Sequence, residues 1–284
     1  MNRTIPPALA VIQDLSGIGR CSLSVALPVI SACGVQACPL PTAVFSAHTG
    51  YSSFFKKDLS SILPGIFSSW EQLKRHWDGI YCGYLGNQKQ MHIIASYIEK
   101  EKQLHPDTKI ILDPVMGDNG KIYQSLSPDY AISMKAFVSL ADLITPNITE
   151  ACILSNTPFS KKKWSDDMLL EISKKLHRLG PAKIIITGIH EKEHFHNYIF
   201  DADTSQNAIY SVPVSGAARP GTGDLFASII SALCLKGFPL FESVKTAADF
   251  IANCVKISEE ADVPVCEGVI FENCLSLLTD LSNL

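Results

Sequence analysis

The chain has 284 residues, 46% hydrophobic and 18% charged, proportions that suit one compact α/β domain and exclude a disordered chain. Its net charge of −4 offers no basic surface for nucleic acid, and no apolar stretch is long enough to span a bilayer. Met1 to Pro7 lacks the charged and apolar start of a secretory signal, so the expectation is a cytoplasmic protein. The nine cysteines stand singly with no C-x-x-C pair, which predicts mostly buried thiols and indicates neither disulfides nor a zinc site.

In chain order, short Ile- and Val-rich runs bounded by turn signals predict buried strands at Ala8–Gln13, Val35–Leu40, Asp78–Cys82, Lys109–Asp113, Asp142–Thr145 and Lys183–Thr187. Helical periodicity lies between them, notably at Gln88–Leu104 and Asp166–Leu179. The alternation predicts right-handed β-α-β crossovers and a mostly parallel sheet with helices on both faces. Beyond Thr187, Phe195–Phe200 and Ala208–Val214 flank a polar turn, Asp201–Asn207, and predict an antiparallel hairpin. The remainder, Thr222–Leu281, predicts three helices broken near Gly237-Phe238-Pro239 and Val263-Pro264. With no repeat or linker, residues 1–284 are expected to form a single domain. Ligands of such a sheet gather beyond the carboxyl ends of the strands, on the loops after Gln13, Leu40, Cys82, Asp113 and Thr145.

The sharpest motif is Gly221-Thr222-Gly223-Asp224, followed at once by the helix-forming run Leu225–Leu235. Glycines allow a tight turn, and the amides of the helix start converge where the dipole favours an anion. An acid there is an ordinary dipole partner. Next to a phosphate cradle it also has the chemistry of the base that removes a proton from an attacking hydroxyl. A second motif, Asn147-Ile148-Thr149-Glu150, opens the helix after the fifth strand. Glu150 there has two readings, a water-mediated magnesium ligand or one half of a capping box with Asn147. A third is Asp113-Pro114-Val115-Met116-Gly117-Asp118 at a strand end, where Asp113 can organise a cation or phosphates and the loop through Tyr123 can serve as a lid.

Other signals are weaker. Gly17-Ile18-Gly19 begins a dinucleotide fingerprint, but Ser22 stands where the third glycine belongs and no acid ends the second strand. His190, His194 and His196 fall in the hairpin at non-helical spacing, which predicts exposed residues and no metal role. The sequence has neither a G-x-x-x-x-G-K-[ST] loop nor the protein-kinase H-R-D and D-F-G motifs.

These motifs together resemble the ribokinase-like superfamily and, within it, the pyridoxal (vitamin B6) kinases. The resemblance spans nearly the whole chain. It rests on Val11-Ile12-Gln13, Thr42 to Tyr51, Gly83-Tyr84-Leu85-Gly86, Asp113 to Gly117, Ala141 to Asn147 with Glu150, and Gly221 to Phe226. It implies a three-layer α/β fold, a homodimer, and transfer of phosphate from MgATP to the 5′-hydroxymethyl group of pyridoxal, pyridoxine or pyridoxamine. Asp224 would be the base and Gly221, Thr222 and Gly223 the anion hole. Asp113, Asn147, Glu150, Thr187, Gly188 and Thr222 would line the nucleotide site, with magnesium near Glu150 and Asp113 and a monovalent cation such as K+ as an optional addition. Ser46, His48 and Tyr84 would line the pyridine pocket.

One departure bears on substrate. Many pyridoxal kinases have Ser after the Ile-Gln pair, where this chain has Asp14. A carboxylate there can accept from a protonated ring nitrogen or a ring hydroxyl, and can alter vitamer preference or favour an aminopyrimidine. A hydroxymethylpyrimidine kinase shares the fold, base and loop and is the nearest alternative. The Phe45 to Thr49 and Gly83 to Gly86 segments favour B6. From other classes, a non-catalytic binding protein would be expected to have lost Asp224 or the glycines, and a nicotinamide oxidoreductase needs the missing fingerprint.

Overall fold

The computed structural model describes residues 5–279; the expectations for 1–4 and for 280–281 at the end of the last helix lie outside the described residues. The first half runs β1 (Ala8–Ser16), α1 (Leu23–Ala32), β2 (Gln36–Phe45), β3 (Lys56–Asp58), α2 (Leu63–Gln72), β4 (Gly79–Cys82), α3 (Gln88–Leu104) and β5 (Lys109–Leu112). A small hairpin follows, β6 (Gly117–Asp118) and β7 (Lys121–Ile122), then α4 (Tyr130–Val138), β8 (Leu143–Ile144), α5 (Ile148–Leu154) and α6 (Asp166–His177). The last part comprises β9 (Lys183–Glu191), β10 (His194–Asp201), β11 (Gln206–Pro213), α7 (Thr222–Leu235), α8 (Leu240–Glu260) and the short α9 (Ser276–Thr279).

The main sheet has the order β11-β10-β9-β8-β5-β4-β1-β2-β3 and is parallel from β9 through β2, with antiparallel strands only at its edges. Side chains alternate across it into two cores. Ile12, Ile80, Leu112, Ile144, Ile184 and Ile186 face α2 to α6, whereas Leu9, Val11, Tyr81, Ile111, Leu143 and Ile185 face α1, α7 and α8. Burial on both faces explains why these strands read as unbroken apolar runs. No helix of the described residues is long and apolar enough to cross a membrane, and all nine cysteines are free, six of them buried.

The structure extends three strands of the parallel sheet by three or more residues beyond their predicted ends, among them β1, which runs past Gln13 to Ser16. Strand β2 continues through Pro39 and Pro41 to Phe45. Gln36 N donates to Pro7 O, so by alternation residues 37, 39 and 41 turn their nitrogens toward the outer edge, where β3 pairs only from Ala43 onward. Strand β9 runs past Thr187 to Glu191 because the hairpin continues to pair with it. The third C-terminal helix is the larger correction: after Pro264 the chain forms two 3₁₀ turns, Val265–Glu267 and Glu272–Cys274, and the four-residue α9. Its carbonyls are drawn to distant donors instead of a helical ladder. Arg219 Nη1 donates to Val263 O, Pro264 O and Gly268 O, and His48 Nε2 lies 2.7 Å from Cys266 O.

Candidate active site

Helix α7 begins at the carboxyl rim of the sheet. Its N-cap Gly221 adopts φ 81°, and a Cβ there would collide with the Arg20 carbonyl. Only glycine fits both constraints. The first intrahelical bond is Leu225 N to Gly221 O at 2.9 Å, so the amides of Thr222, Gly223 and Asp224 precede the ladder, and no side chain caps them. The preceding loop is clamped by Arg219, 6% exposed, which pairs with Glu259 at 2.8 Å. Thr222 Oγ1 donates to Arg219 O, which closes the turn. Asp224 sits third in the helix, half-buried. Burial pushes its carboxyl up to about 7; the backbone amide of Ser22 opposes the rise and Asp14 adds to it.

Asp113 closes β5 beside this helix, with Oδ2 3.8 Å from the position a Cβ on Gly223 would take. Burial holds its carboxyl well above the carboxylate range, and Glu150 and Asp224 push it further. A buried acid driven toward protonation by two other acids has the donor chemistry that a hard divalent cation would relieve, so Asp113 fits a magnesium ligand. Glu150 is placed differently. Its Oε1 accepts from Met116 N at 3.0 Å and its Oε2 from Asn147 N at 2.9 Å, while Asn147 Oδ1 accepts from Thr149 N and Glu150 N. Of the two sequence readings, the capping box is therefore complete. Burial pushes Glu150 up to about 8 against those amides; with both oxygens engaged, it fits a cation only through water.

The expected lid is the β6–β7 hairpin, and it is tied down. Asn147 Nδ2 donates to Gly117 O at 2.8 Å and Gly120 N donates to Thr149 Oγ1 at 2.9 Å. Any closure of residues 114–123 must move α5 with it or break these bonds. Thr187 and Gly188 lie at a register shift in the β9–β10 pairing, Gly188 with φ 67°, and Thr187 bridges to Asn147. The nucleotide-side residues named from sequence thus converge on one rim.

Across the rim from them, Asp14 is 5% exposed and accepts from Ser22 Oγ at 2.8 Å and Ser16 Oγ at 3.2 Å. Burial raises its carboxyl; the two serines and then Lys56 oppose the rise. Lys56 Nζ lies 5.2 Å over the Phe45 ring and 5.8 Å over Tyr84, and Phe45 also meets Phe54 at 5.8 Å. An aromatic wall with a cation and an acid at its edge is a setting for a flat polar ring. Ser46 and His48 have other partners. Ser46 Oγ accepts from Phe55 N, and the two ring nitrogens of His48 face Cys266 O and Gly50 N. These contacts fix His48 with its proton on Nε2 and make it a fastener between the 46–51 loop and the C-terminal segment.

Sequence reasoning missed Ser22, Lys56, Phe45, Phe54 and Arg219. Ser22 joins the two halves, with its hydroxyl on Asp14 and its amide on Asp224. It holds φ 53°, rare for a residue with a side chain, in the loop whose glycines had suggested a dinucleotide motif. That loop is instead a connector: Gly17 N bonds Phe45 O at 2.9 Å, and Gly19 packs against His48.

A family model described as phosphomethylpyrimidine kinase matches residues 24–267. The chain belongs to this family. Among its relatives, pyridoxine kinase of Bacillus subtilis is 31% identical over 64% of this chain and 65% of its own length. A hydroxymethylpyrimidine/phosphomethylpyrimidine kinase of Haemophilus influenzae is 29% identical over 74% of this chain and 78% of its own. A Bacteroides thetaiotaomicron protein, assigned provisionally as a phosphomethylpyrimidine kinase and crystallised with pyridoxal, superposes with TM-score 0.92 at 34% identity, covering 96% of each chain. The chain spans 61%, 64% and 65% of the length of the first curated relatives it matches. The family thus joins pyridine and pyrimidine kinases on one ribokinase-like fold, as the sequence motifs suggested.

Proposed function

We propose that this protein transfers the γ-phosphate of ATP to the hydroxymethyl group of a small nitrogen heterocycle, and that the heterocycle is a B6 vitamer. The observation that carries the reading is Asp224, held near neutrality in its proton affinity and seated beside three uncapped helix amides. In the reaction Asp224 accepts the hydroxyl proton as the oxygen bonds to the γ-phosphorus, the bridging P–O bond breaks, and ADP leaves with that electron pair. The amides of Thr222, Gly223 and Asp224, with the α7 dipole, offset the charge on the transferring group. Asp113 directly, and Glu150 through water, would hold magnesium, which supplies charge neutralisation on the phosphates. Asp14 receives a ring donor while Phe45 and Tyr84 cover the ring. A homodimer and a cytoplasmic location belong to the same reading and rest on resemblance and composition.

Two observations support the pyridine ring: the aromatic wall, and the 34%-identical relative crystallised with pyridoxal. One favours a second reading. A carboxylate at Asp14 also suits an aminopyrimidine, and pyrimidine kinases stand among the relatives. An ADP-release assay with MgATP and, separately, pyridoxal, pyridoxine, pyridoxamine and aminohydroxymethylpyrimidine decides between them. The expected result is highest kcat/KM on a B6 vitamer. Preference for the pyrimidine would establish the second reading, and silence on all four would overturn the reaction.

A further inference from the structure

The amino ends of the strands, opposite the rim, carry a cluster that this reaction does not use. His76 lies in the segment leading into β4, Glu101 in the last turn of α3, and His105 is the C-cap of that helix. One donor atom from each falls within 4.8 Å of the other two. Glu101 and His105 are one helical turn apart and so face the same way. The His76 and His105 rings sit 4.7 Å apart between centroids, tilted by 46°, although nothing in hydrophobic packing requires two exposed-side imidazoles to meet. Glu101 is 5% exposed. Its Oε1 accepts from Trp77 N at 3.2 Å, which fixes the carboxylate, and among the described residues no hydrogen bond engages Oε2 or either imidazole. The basic residues adjoining the cluster in sequence are committed elsewhere. Lys102 binds Pro106 O, Thr108 O and Asp142, and Arg75 stacks on Trp77 at 5.0 Å.

Glu101 Oε1 is fixed by the Trp77 amide, so Oε2 is an oriented acceptor open to a ligand. Two imidazole nitrogens beside it define what that is. We propose that His76, Glu101 and His105 bind one transition-metal ion of the zinc class, through two nitrogens and one oxygen, with a fourth position open to water. Magnesium prefers all-oxygen ligands, whereas imidazole selects zinc, nickel, copper or cobalt, so the ion is distinct from the one that accompanies ATP. The partial burial follows the same logic: His76 is exposed and provides the entry path, His105 is half-buried, and Glu101 forms the floor. The bound ion would clip the α2–β4 segment to the end of α3 and stabilise the fold by mass action.

The test is a Co2+ titration of the full-length protein in magnesium-containing buffer without nucleotide, followed by Zn2+ displacement. Because no substrate is present, its outcome is independent of the kinase reading. One saturable equivalent is expected, with visible ligand-field absorption, no thiolate charge-transfer band, and loss of the signal on adding Zn2+. Altering second-sphere partners of metal ligands typically weakens binding by about 10–100-fold, so His76→Ala and His105→Ala should each weaken it at least tenfold. His194→Ala, in the distant hairpin, should leave it unchanged. His76 is exposed, so its removal does not threaten folding and decides the matter alone if His105→Ala proves unstable. Absence of a saturable equivalent, a thiolate spectrum, or equal binding by His76→Ala would overturn the site.

Discussion

Two helices start on the same rim with an acid at the same position and opposite fates. In α5 the N-cap is Asn147 and the third helical residue is Glu150; in α7 the N-cap is Gly221 and the third is Asp224. Asn147 caps the amides and Glu150 reaches back, so that helix start is closed by its own side chains. Gly221 has no side chain to cap with, and its left-handed φ turns Asp224 away toward Ser22 rather than back to its own N-cap. The teaching is that an acid in the first turn is tied to its own helix when the cap is filled and left free of it when the cap is open. The closed helix start engages its own amides and carboxylate, and the open one leaves both free of capping partners on its own helix.

Filling the open cap should have the larger effect. Gly221→Ala places a Cβ against the Arg20 carbonyl at a φ that alanine resists, and displaces the amide cradle. Turnover is expected to fall about 10²–10³-fold, the loss typical of removing an oxyanion donor. Steady-state kinetics check this, and an alanine variant with normal kcat would remove the cradle from the account. Next is pH. Asp224 accepts a proton only when ionised, and its carboxyl is raised to about 7, so kcat/KM should fall about tenfold per unit below that value. A profile flat from pH 5 to about 8 would contradict the assignment. Stability runs the other way. A folded-state value above the ordinary 3.8 means that this group's contribution is present below about 4 and lost as pH rises through about 7. Thermal melts at pH 8 should therefore find Asp224→Asn more stable than the parent. Smallest is the closed cap: Glu150→Ala leaves buried amides without an acceptor and should cost about 1–3 kcal/mol in denaturant unfolding. No loss there would mean that the capping box is dispensable.

The contrast between the helices was half legible in the sequence. Gly221-Thr222-Gly223-Asp224 announces an uncapped turn because two glycines leave no capping side chain, and the buried strands of a parallel sheet announce themselves as apolar runs. Asn147 to Glu150 admitted two readings, since a capping box and a metal ligand use the same residue types; the distances to Met116 and Asn147 amides establish the box and leave only a water-mediated cation role beside it. Ser22, Lys56 and Arg219 were invisible for another reason. Each has a partner far along the chain, Asp224 for Ser22, Tyr84 for Lys56 and Glu259 for Arg219, and no periodicity or short motif encodes such contacts. The resemblance alone implied a pocket role for His48, and no motif announced its contacts: Nδ1 accepts from Gly50 N within the loop, and Nε2 meets Cys266 O 218 residues away.

The most direct test is a paired measurement of kcat on pyridoxal for the two isosteric variants at the shared helix position, Asp224→Asn and Glu150→Gln. Glutamine can still serve a capping box, whereas asparagine cannot take the hydroxyl proton. The account predicts a loss of about two to four orders of magnitude for Asp224→Asn and less than about tenfold for Glu150→Gln. Equal losses, or the larger one at Glu150, would contradict it.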